Sequence, residues 1–254
     1  MNIAVTRQVS RSIADCELTF LPRVRIDVER ARQQHGHYEA ALKSLGLAVL
    51  SLPEEPDLPD SVFVEDAAMV LDECAILTRC AAVSRRPESE SIARVLRPFR
   101  AVYEIQAPAC IDGGDILRVG KDLYVGLSER TNMEAVEQIG ELLAPHAYVV
   151  HAVTVTGCLH LKSAVTQVAP ATLLINPAWV DRQLFRNVNF IDTDASEAYA
   201  GNALLVGDSL IYPSAFPKTQ ARLAAAGIRL VPVDADELAK AEGAVTCCSL
   251  IFTV

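Results

Sequence analysis

Reactive side chains recur along this chain at intervals of about 42 to 50 residues, and each stands where an apolar segment begins. Intervals of this size are typical of a repeated unit of supersecondary structure. Equivalent positions in repeats that wind about one axis gather at one end of that axis. The sequence therefore predicts a repeat fold with polar side chains clustered at one end. The recurring positions are the segment Asp60 to Asp66, then Asp112, His160, Asn202 and Cys247.

One pattern repeats from about residue 61 onward: an apolar strand, a short turn, a second strand, an amphipathic helix and a third strand. In the second repeat, DILRV and DLYVGL flank Gly120 and Lys121, and AYVVHAVTV follows the helix. Thr131 and Glu134 predict a capping box at the start of that helix. In the third repeat, we expect the helix near Trp179 to Phe185.

The N-terminal repeat lacks one strand, and the C-terminus supplies one. The N-terminal segment offers the strand IAVT, a helix that ends at Gly46, and the strand LAVLSL, while TCCSLIFTV closes the chain. We therefore predict an α/β fold, a five-bladed α/β propeller of ββαβ modules in a single domain over residues 1–254, with its ring closed by the C-terminal strand. The alternative is an open α+β sheet of the same elements, because one sequence does not define strand order.

The composition excludes several classes of protein. With 51% hydrophobic residues and a net charge of -9, the chain is predicted to bury a large core and to have no nucleic-acid partner. It has no run of about 18 apolar residues and no visible signal peptide, so we expect a cytoplasmic protein without a membrane partner. The seven cysteines include no CxxC pair, which argues against a disulfide framework and a zinc ribbon. The negative net charge suits a cationic substrate, although many cytosolic enzymes are equally acidic.

Cys247, His160 and Asp112 have the residue types of a nucleophile with its acid-base partners. A cysteine is mostly protonated at neutral pH, so a nucleophilic Cys247 needs a base or a cation beside it, and His160 is the candidate. Asp112, in IDGGD, could fix the tautomer of that imidazole. Cys248 would point to the opposite face of a strand and pack. The alternative is that Cys247 is inert core and that Asp115 merely caps a turn.

Charged residues near these positions predict a site for a cation that also carries a carboxylate. On an extended strand, Asp60 and Asp66 would face one side and Glu65 the other, and such carboxylates could clamp a guanidinium. Arg85 and Arg130 follow the second strand of successive repeats and could bind a carboxylate. The alternative is a solvated surface of acidic residues and arginines. The full set describes a site for arginine or an N-substituted arginine.

Six segments occur in a fixed order: TRxxSRS, DSVFVEDAAMVL, ILTRxxxxSRRPE, DGGDILRVGKDLYVGLSERTN, LHLKS and VTCCS. With them the chain resembles the dimethylarginine dimethylaminohydrolase family of the guanidine-modifying pentein superfamily over essentially its whole length. The resemblance implies a five-bladed α/β propeller hydrolase that converts Nω-methylated arginine to citrulline and methylamine or dimethylamine through a covalent thiouronium intermediate. It implies no cofactor and no metal, and the sequence is compatible with a homodimer.

The same resemblance assigns roles to individual residues. It implies that Cys247 is the nucleophile, His160 the acid and base, and Asp112 the carboxylate partner of His160. The family usually has aspartate where this chain has Glu242. Contacts to a methylated arginine substrate are implied for Leu18, Asp60, Glu65, Asp66, Arg85, Arg130 and Ala241.

Three other interpretations compete with this one. Arginine deiminase, from the same superfamily, would act on unmethylated arginine, but such enzymes are generally longer and carry a helical insertion. A non-catalytic propeller needs no Cys-His-Asp set. Zinc held by Cys247, Cys248 and His160 would require adjacent strand residues to face one ion, which the alternation of side chains along a strand disfavours.

Overall fold

The computed structural model describes all residues 1–254 and contains five three-stranded β-sheets. The strands are β1 (Asn2–Arg7), β2 (Ala48–Leu52), β3 (Ala68–Val70), β4 (Cys74–Leu77), β5 (Ala101–Glu104), β6 (Ile116–Val119), β7 (Asp122–Leu127), β8 (Val149–Thr154), β9 (Val165–Ala169), β10 (Thr172–Ile175), β11 (Asn189–Asp192), β12 (Leu204–Val206), β13 (Ser209–Pro213), β14 (Arg229–Val233) and β15 (Leu250–Thr253). The helices are α1 (Val28–Ser44), α2 (Glu88–Leu96), α3 (Met133–Leu143), α4 (Leu161–Ala164), α5 (Pro217–Ala225) and α6 (Asp236–Ala239).

Every sheet has the same internal pairing. The first strand is antiparallel to the central strand, and the third strand is parallel to it, as in β3-β4-β5 and β6-β7-β8. The sheets β9-β10-β11 and β12-β13-β14 repeat this arrangement. In the last sheet, β15 is antiparallel to β1, which is parallel to β2. The C-terminal strand therefore completes the N-terminal module, as the sequence predicted.

The first strand of each sheet lies toward a shared interior. β3, β6, β9, β12 and β15 all contribute residues to the lining of one cavity of about 230 Å³, which we call the central cavity.

No helix combines the length and apolar character needed to cross a lipid bilayer.

Helix α1 shows how the sequence defines these elements. The side chain of Asp27 accepts a hydrogen bond from the backbone N–H of Arg30 and so caps the start of the helix. The apolar face is buried through Ala31, Tyr38 and Leu42. Gly46, with φ +87°, ends the helical path, because a left-handed residue costs glycine little. This end was predicted from the sequence.

The segment DSVFVED is not a strand, contrary to the prediction. Its residues Val64–Ala67 form a 3₁₀ turn, and β3 begins only at Ala68. Val62, Phe63 and Val64 are all buried although they are consecutive. A continuous apolar run does not distinguish a strand from a buried turn, because it has no period of two.

Two helix features predicted from the sequence also differ from the structure. The helix expected near Trp179 to Phe185 is a single 3₁₀ turn, Arg182–Leu184, which the side chain of Asp181 caps. Helix α3 is capped by Asn132, whose Oδ1 accepts from the backbone N–H of Ala135. Thr131 does not form the predicted capping box with Glu134. Its hydroxyl instead donates to the buried carboxylate of Asp115 at 2.6 Å.

Candidate active site

The turns before four of the first strands bring the predicted reactive residues together. Asp66 precedes β3, Asp112 precedes β6, His160 precedes β9 and Cys247 precedes β15. Asn202, before β12, is instead held by hydrogen bonds to Thr246 and to the carbonyl of Lys162. One small pocket, which we call the site pocket, is lined by Glu17, Asp60, Phe63, Asp66, Arg85, Arg130, Leu159, His160, Ala241, Glu242, Gly243 and Cys247.

His160 is fixed between two carboxylates. Its Nε2 lies 3.1 Å from Asp112 Oδ2, and its Nδ1 lies 4.0 Å from Asp66 Oδ1. Burial lowers the pKa of the His160 imidazole, but the charges of Asp66, Asp112 and Asp115 outweigh burial and raise this pKa to about 9. The ring is therefore an imidazolium at neutral pH.

Asp112 stands behind the imidazole, outside the lining of the site pocket. It is fully buried, and its Oδ1 has no hydrogen-bond partner. Its Oδ2 is hydrogen-bonded to His160 Nε2 and lies 3.7 Å from Nη1 of Arg130. An aspartate held in this way orients the ring and stabilises its positive charge.

The two glycines of IDGGD allow the close packing of this turn. A Cβ at Gly113 would lie 1.9 Å from the carbonyl oxygen of Glu65. A Cβ at Gly114 would lie 2.4 Å from His160 Nδ1 and 3.0 Å from Asp66 Oδ1. The backbone N–H of Gly114 also donates to Asp66 Oδ1 at 2.9 Å. The glycines thus bring three segments of the site into contact.

Asp115 links the same turn to the segment that carries the imidazole. Its Oδ1 accepts from the backbone N–H of Leu161, next to His160, at 2.8 Å. Its Oδ2 accepts from the hydroxyls of Ser128 and Thr131, each at 2.6 Å. This carboxylate therefore holds helix α4 against the turn before β6, a role beyond the turn cap considered from the sequence.

Cys247 lies in an environment that disfavours its thiolate. It is 8% exposed, and burial together with the charges of Glu65 and Asp66 raises the pKa of its thiol to about 12. The thiol is therefore protonated at neutral pH while His160 is charged. A cation placed against the sulfur would lower the pKa of the thiol, because opposite charge favours the ionised form.

Of the three acidic residues of DSVFVED, Asp60 and Asp66 face the site pocket and Glu65 faces away from it, as predicted. Asp60 lines the site pocket, and its Oδ2 accepts from the backbone N–H of Glu17 at 3.1 Å. Asp66 lines it as well. Glu65 instead lies on the central cavity, where its carboxylate accepts from Lys162 Nζ and from Thr246 Oγ1. The structure does not place Glu65 in the site pocket, so its predicted substrate contact stays a prediction.

The two predicted arginines both line the site pocket. Arg85 donates two hydrogen bonds of 3.0 Å to the carboxylate of Glu88 and one of 2.9 Å to Asp66 Oδ2. Arg130 donates to Thr19 Oγ1 at 2.8 Å. Arg85 is therefore held rigidly by buried carboxylates, whereas Arg130 is held by one hydroxyl and the more distant Asp112.

Of the two remaining predicted residues, Ala241 lines the site pocket and Leu18 does not. Leu18 is half-buried beside Glu17, which is part of the lining. Four further residues of the site were not predicted from the sequence: Glu17, Phe63, Leu159 and Glu88. Glu88 carried a usable signal, because it follows Arg85 by three residues in SRRPE, a spacing that lets two side chains meet on one helical turn.

The structure contains no group of three or more His, Cys, Asp or Glu side chains arranged to hold a metal ion. Cys247 and Cys248 both precede β15 rather than alternating along it.

Comparison with known proteins places this site in one family. The family described as N,N dimethylarginine dimethylhydrolase, eukaryotic, matches residues 22–252. The N(G),N(G)-dimethylarginine dimethylaminohydrolase of Pseudomonas aeruginosa is 35% identical over 98% of both chains. A solved structure of the Pseudomonas aeruginosa enzyme, a cysteine-to-serine mutant with citrulline, superposes with a TM-score of 0.94 at 35% identity over 98% of both chains. A histidine-to-glycine variant of a dimethylarginine dimethylaminohydrolase, as an adduct with S-methyl-L-thiocitrulline, also gives 0.94, at 34% identity over 99% of this chain and 100% of that one. With these matches over nearly its full length, the chain belongs to the dimethylarginine dimethylaminohydrolase family of hydrolases.

Proposed function

We propose that this protein hydrolyses Nω-methylated arginine, both asymmetric dimethylarginine and monomethylarginine, to citrulline and dimethylamine or methylamine. The observation that carries the proposal is the site pocket, where one cysteine and one imidazole lie with the carboxylates of Asp60 and Asp66 and with two arginines. The relatives support it, since one binds citrulline and another forms an adduct with S-methyl-L-thiocitrulline.

The charges of the pocket suit both ends of such a substrate. Asp60 and Asp66 offer carboxylate oxygens to the guanidinium, whose N–H groups form charge-assisted hydrogen bonds with them. Arg130 and Arg85 offer N–H groups to the substrate carboxylate. The protein backbone near Leu18 and Ala241 would bound the aliphatic part of the substrate.

The first half of the proposed reaction begins with a protonated thiol. The bound guanidinium lowers the pKa of Cys247, whose proton leaves to water, and the sulfur attacks the guanidinium carbon. The new C–S bond forms a tetrahedral adduct. Its C–N bond to the methylated nitrogen then breaks while the imidazolium of His160 donates a proton to that nitrogen. Methylamine or dimethylamine departs, and a planar thiouronium remains on the sulfur.

The second half uses the neutral His160 left by the first. The imidazole removes a proton from a water molecule, and the resulting hydroxide attacks the thiouronium carbon. The C–S bond then breaks, the hydroxyl of the adduct loses its proton to solvent to give citrulline, and the thiolate regains a proton from solvent. One water is consumed in each turnover. Asp112 orients the ring throughout and stabilises its charged form.

We propose further that residues 1–254 form one closed catalytic unit, a five-bladed propeller. Two features support closure. The five first strands share the lining of the central cavity, and the sheet containing β1 takes its first strand from the C-terminus. A ring closed by strands from both ends leaves no unpaired module between them.

A citrulline assay tests the proposed activity directly. Wild-type protein should form citrulline from asymmetric dimethylarginine faster than from arginine, and Cys247→Ser should abolish the reaction while retaining substrate binding. Cys110→Ser is the matched control, because Cys110 is a partly exposed thiol outside the site pocket. Full activity of Cys247→Ser, or no citrulline from any methylated arginine with folded wild-type protein, would overturn the proposal.

A further inference from the structure

The segment that borders the site pocket is attached to the protein in an unusual way. No residue from 17 to 26 makes a hydrogen bond from backbone to backbone. Residues 17–21, which we call the strap, run from Glu17 in the lining of the site pocket to Phe20 and Leu21. The last two side chains line a second, largely apolar cavity of about 270 Å³. Because the strap lacks backbone pairing and has open space beside it, side chains of other segments must hold it in place.

The carboxylate of Glu242 is the principal anchor of the strap. Its Oε2 accepts from the backbone N–H of Thr19 at 2.8 Å, and its Oε1 accepts from the N–H groups of Phe20 and Leu21, each at 2.6 Å. Three consecutive donors thus converge on one side chain. Hydrogen bonds to a charged acceptor are stronger than those between neutral groups.

The backbone of Glu242 supports this assignment. Its φ of 58° lies in the left-handed region, which residues with a Cβ adopt only at an energetic cost. Gly243 follows directly and would have accepted a left-handed conformation at less cost. Non-glycine residues persist in such conformations where surrounding contacts compensate for the strain, and the three hydrogen bonds to the strap are contacts of that kind.

Two of the other three polar anchors of the strap belong to the proposed substrate site, and the third is Ser84, whose Oγ donates to Glu17 Oε1 at 2.5 Å. Asp60 accepts from the backbone N–H of Glu17, and Arg130 donates to Thr19 Oγ1. Both side chains are proposed to bind the substrate, so the substrate competes with the strap for them. Glu242 also lines the site pocket but is not among the proposed substrate contacts, so we expect its hold on the strap to persist when the pocket is occupied.

We propose that Glu242 is a positioning residue that holds the strap over the site pocket and so retains the substrate during turnover. This inference rests on the proposed function for its kinetic consequence. Its structural part, the anchoring of the strap by the carboxylate, concerns the free protein. The two parts have separate readouts.

The test compares Glu242→Gln with the wild type. Glutamine keeps the size of the side chain, but its NH₂ group is a donor and faces the donors of the strap. In the free protein, the amides of Thr19, Phe20 and Leu21 should exchange with deuterium faster in the variant, while other protected amides are unchanged. With asymmetric dimethylarginine, KM should rise about tenfold, equivalent to about 1.4 kcal/mol, with a much smaller change in kcat.

Glu197→Gln is the matched control. Glu197 also accepts backbone N–H groups, from Lys218 and Thr219 at 2.9 and 2.8 Å, but it does so at the start of α5, away from the site pocket. This variant should leave strap exchange and KM at wild-type values. An equal KM change in both variants would mean a general loss of structure and would overturn the inference.

The exchange and kinetic measurements on Glu242→Gln test the two parts of the inference separately. Unchanged exchange of the strap amides in Glu242→Gln overturns the anchoring role. Faster exchange with unchanged KM overturns the role in substrate retention. If the wild-type protein forms no citrulline, the proposed function fails, and the exchange measurement still decides whether Glu242 holds the strap.

Discussion

Replacing Gly114 with alanine tests whether the position of the imidazole limits the reaction. The added Cβ would lie 2.4 Å from His160 Nδ1, and ordinary contact begins near 3.4 Å, so the ring must retreat by about 1 Å. Behind the ring stands Asp112, which is fully buried. The imidazole therefore cannot move straight back into that carboxylate, and it must turn aside and distort its 3.1 Å contact with Asp112.

The size of the expected effect follows from this displacement. A misplacement of about 1 Å in a reacting group costs on the order of 100-fold in rate, equivalent to about 2.7 kcal/mol of activation free energy. The φ of Gly114 is not in the left-handed region, so alanine adds no backbone strain there. Overpacking itself costs about 1 to 3 kcal/mol of stability, so kinetics should be measured well below the unfolding temperature.

Steady-state citrulline formation with Gly114→Ala and Gly140→Ala measures the effect. A Cβ at Gly140, within α3, meets no atom within 4 Å, so the control should keep wild-type kcat and gain some helix stability. We expect kcat of Gly114→Ala to fall about 100-fold. A kcat within about twofold of wild type would refute the reasoning, because the imidazole would then tolerate displacement.

Three further predictions concern charged and titratable groups. The activity that requires protonated His160 should fall as pH rises past about 9, and Asp112→Asn should move that limb of the pH profile of kcat/KM to lower pH, because the ring loses an anionic partner. The side chain of His35 is buried, and its Nε2 has no hydrogen-bond partner. Burial lowers the pKa of the His35 imidazole, although the nearby carboxylate of Glu39 opposes this shift. The fold thus favours the neutral ring, so its contribution to stability is present above about pH 6.5 and is lost as pH falls below that value; His35→Gln should flatten this loss in urea unfolding. Glu88→Gln removes the bidentate partner of Arg85, so KM for asymmetric dimethylarginine should rise by at least about tenfold with a smaller change in kcat.

The repeat of about 42 to 50 residues predicted the five repeated sheets, because the spacing of the modules is visible in the sequence. Five positions before five first strands carry the recurring polar residues, and four of these positions meet at the site. The pairing of β15 with β1 was predictable as well, since one module lacked a strand and the other terminus offered one. The repeated sheets and the pairing of β15 with β1 could be predicted because they depend only on the spacing of apolar residues and on the order of the segments along the chain.

The local conformation and the long-range contacts of individual side chains were less predictable. Asp66 and Glu65 face different cavities, as predicted, but they do so from a 3₁₀ turn that a continuous apolar run does not reveal, and not from the predicted strand. Thr131 was expected to cap a helix, but its hydroxyl instead donates a hydrogen bond to the buried carboxylate of Asp115, 16 residues earlier in the chain. The anchoring of the strap by Glu242 joins residues more than 220 positions apart. Contacts of this kind depend on tertiary packing, which a single sequence does not specify.

The proposed reaction depends above all on a covalent bond between the Cys247 sulfur and the guanidinium carbon of the substrate. Acid quenching during turnover of asymmetric dimethylarginine, followed by mass spectrometry of the digested protein, tests it most directly. We predict an adduct that equals the substrate minus dimethylamine, located on the peptide that contains Cys247 and absent from Cys247→Ser. An adduct on a peptide without Cys247, or citrulline formation by Cys247→Ser at the wild-type rate, would contradict the claim.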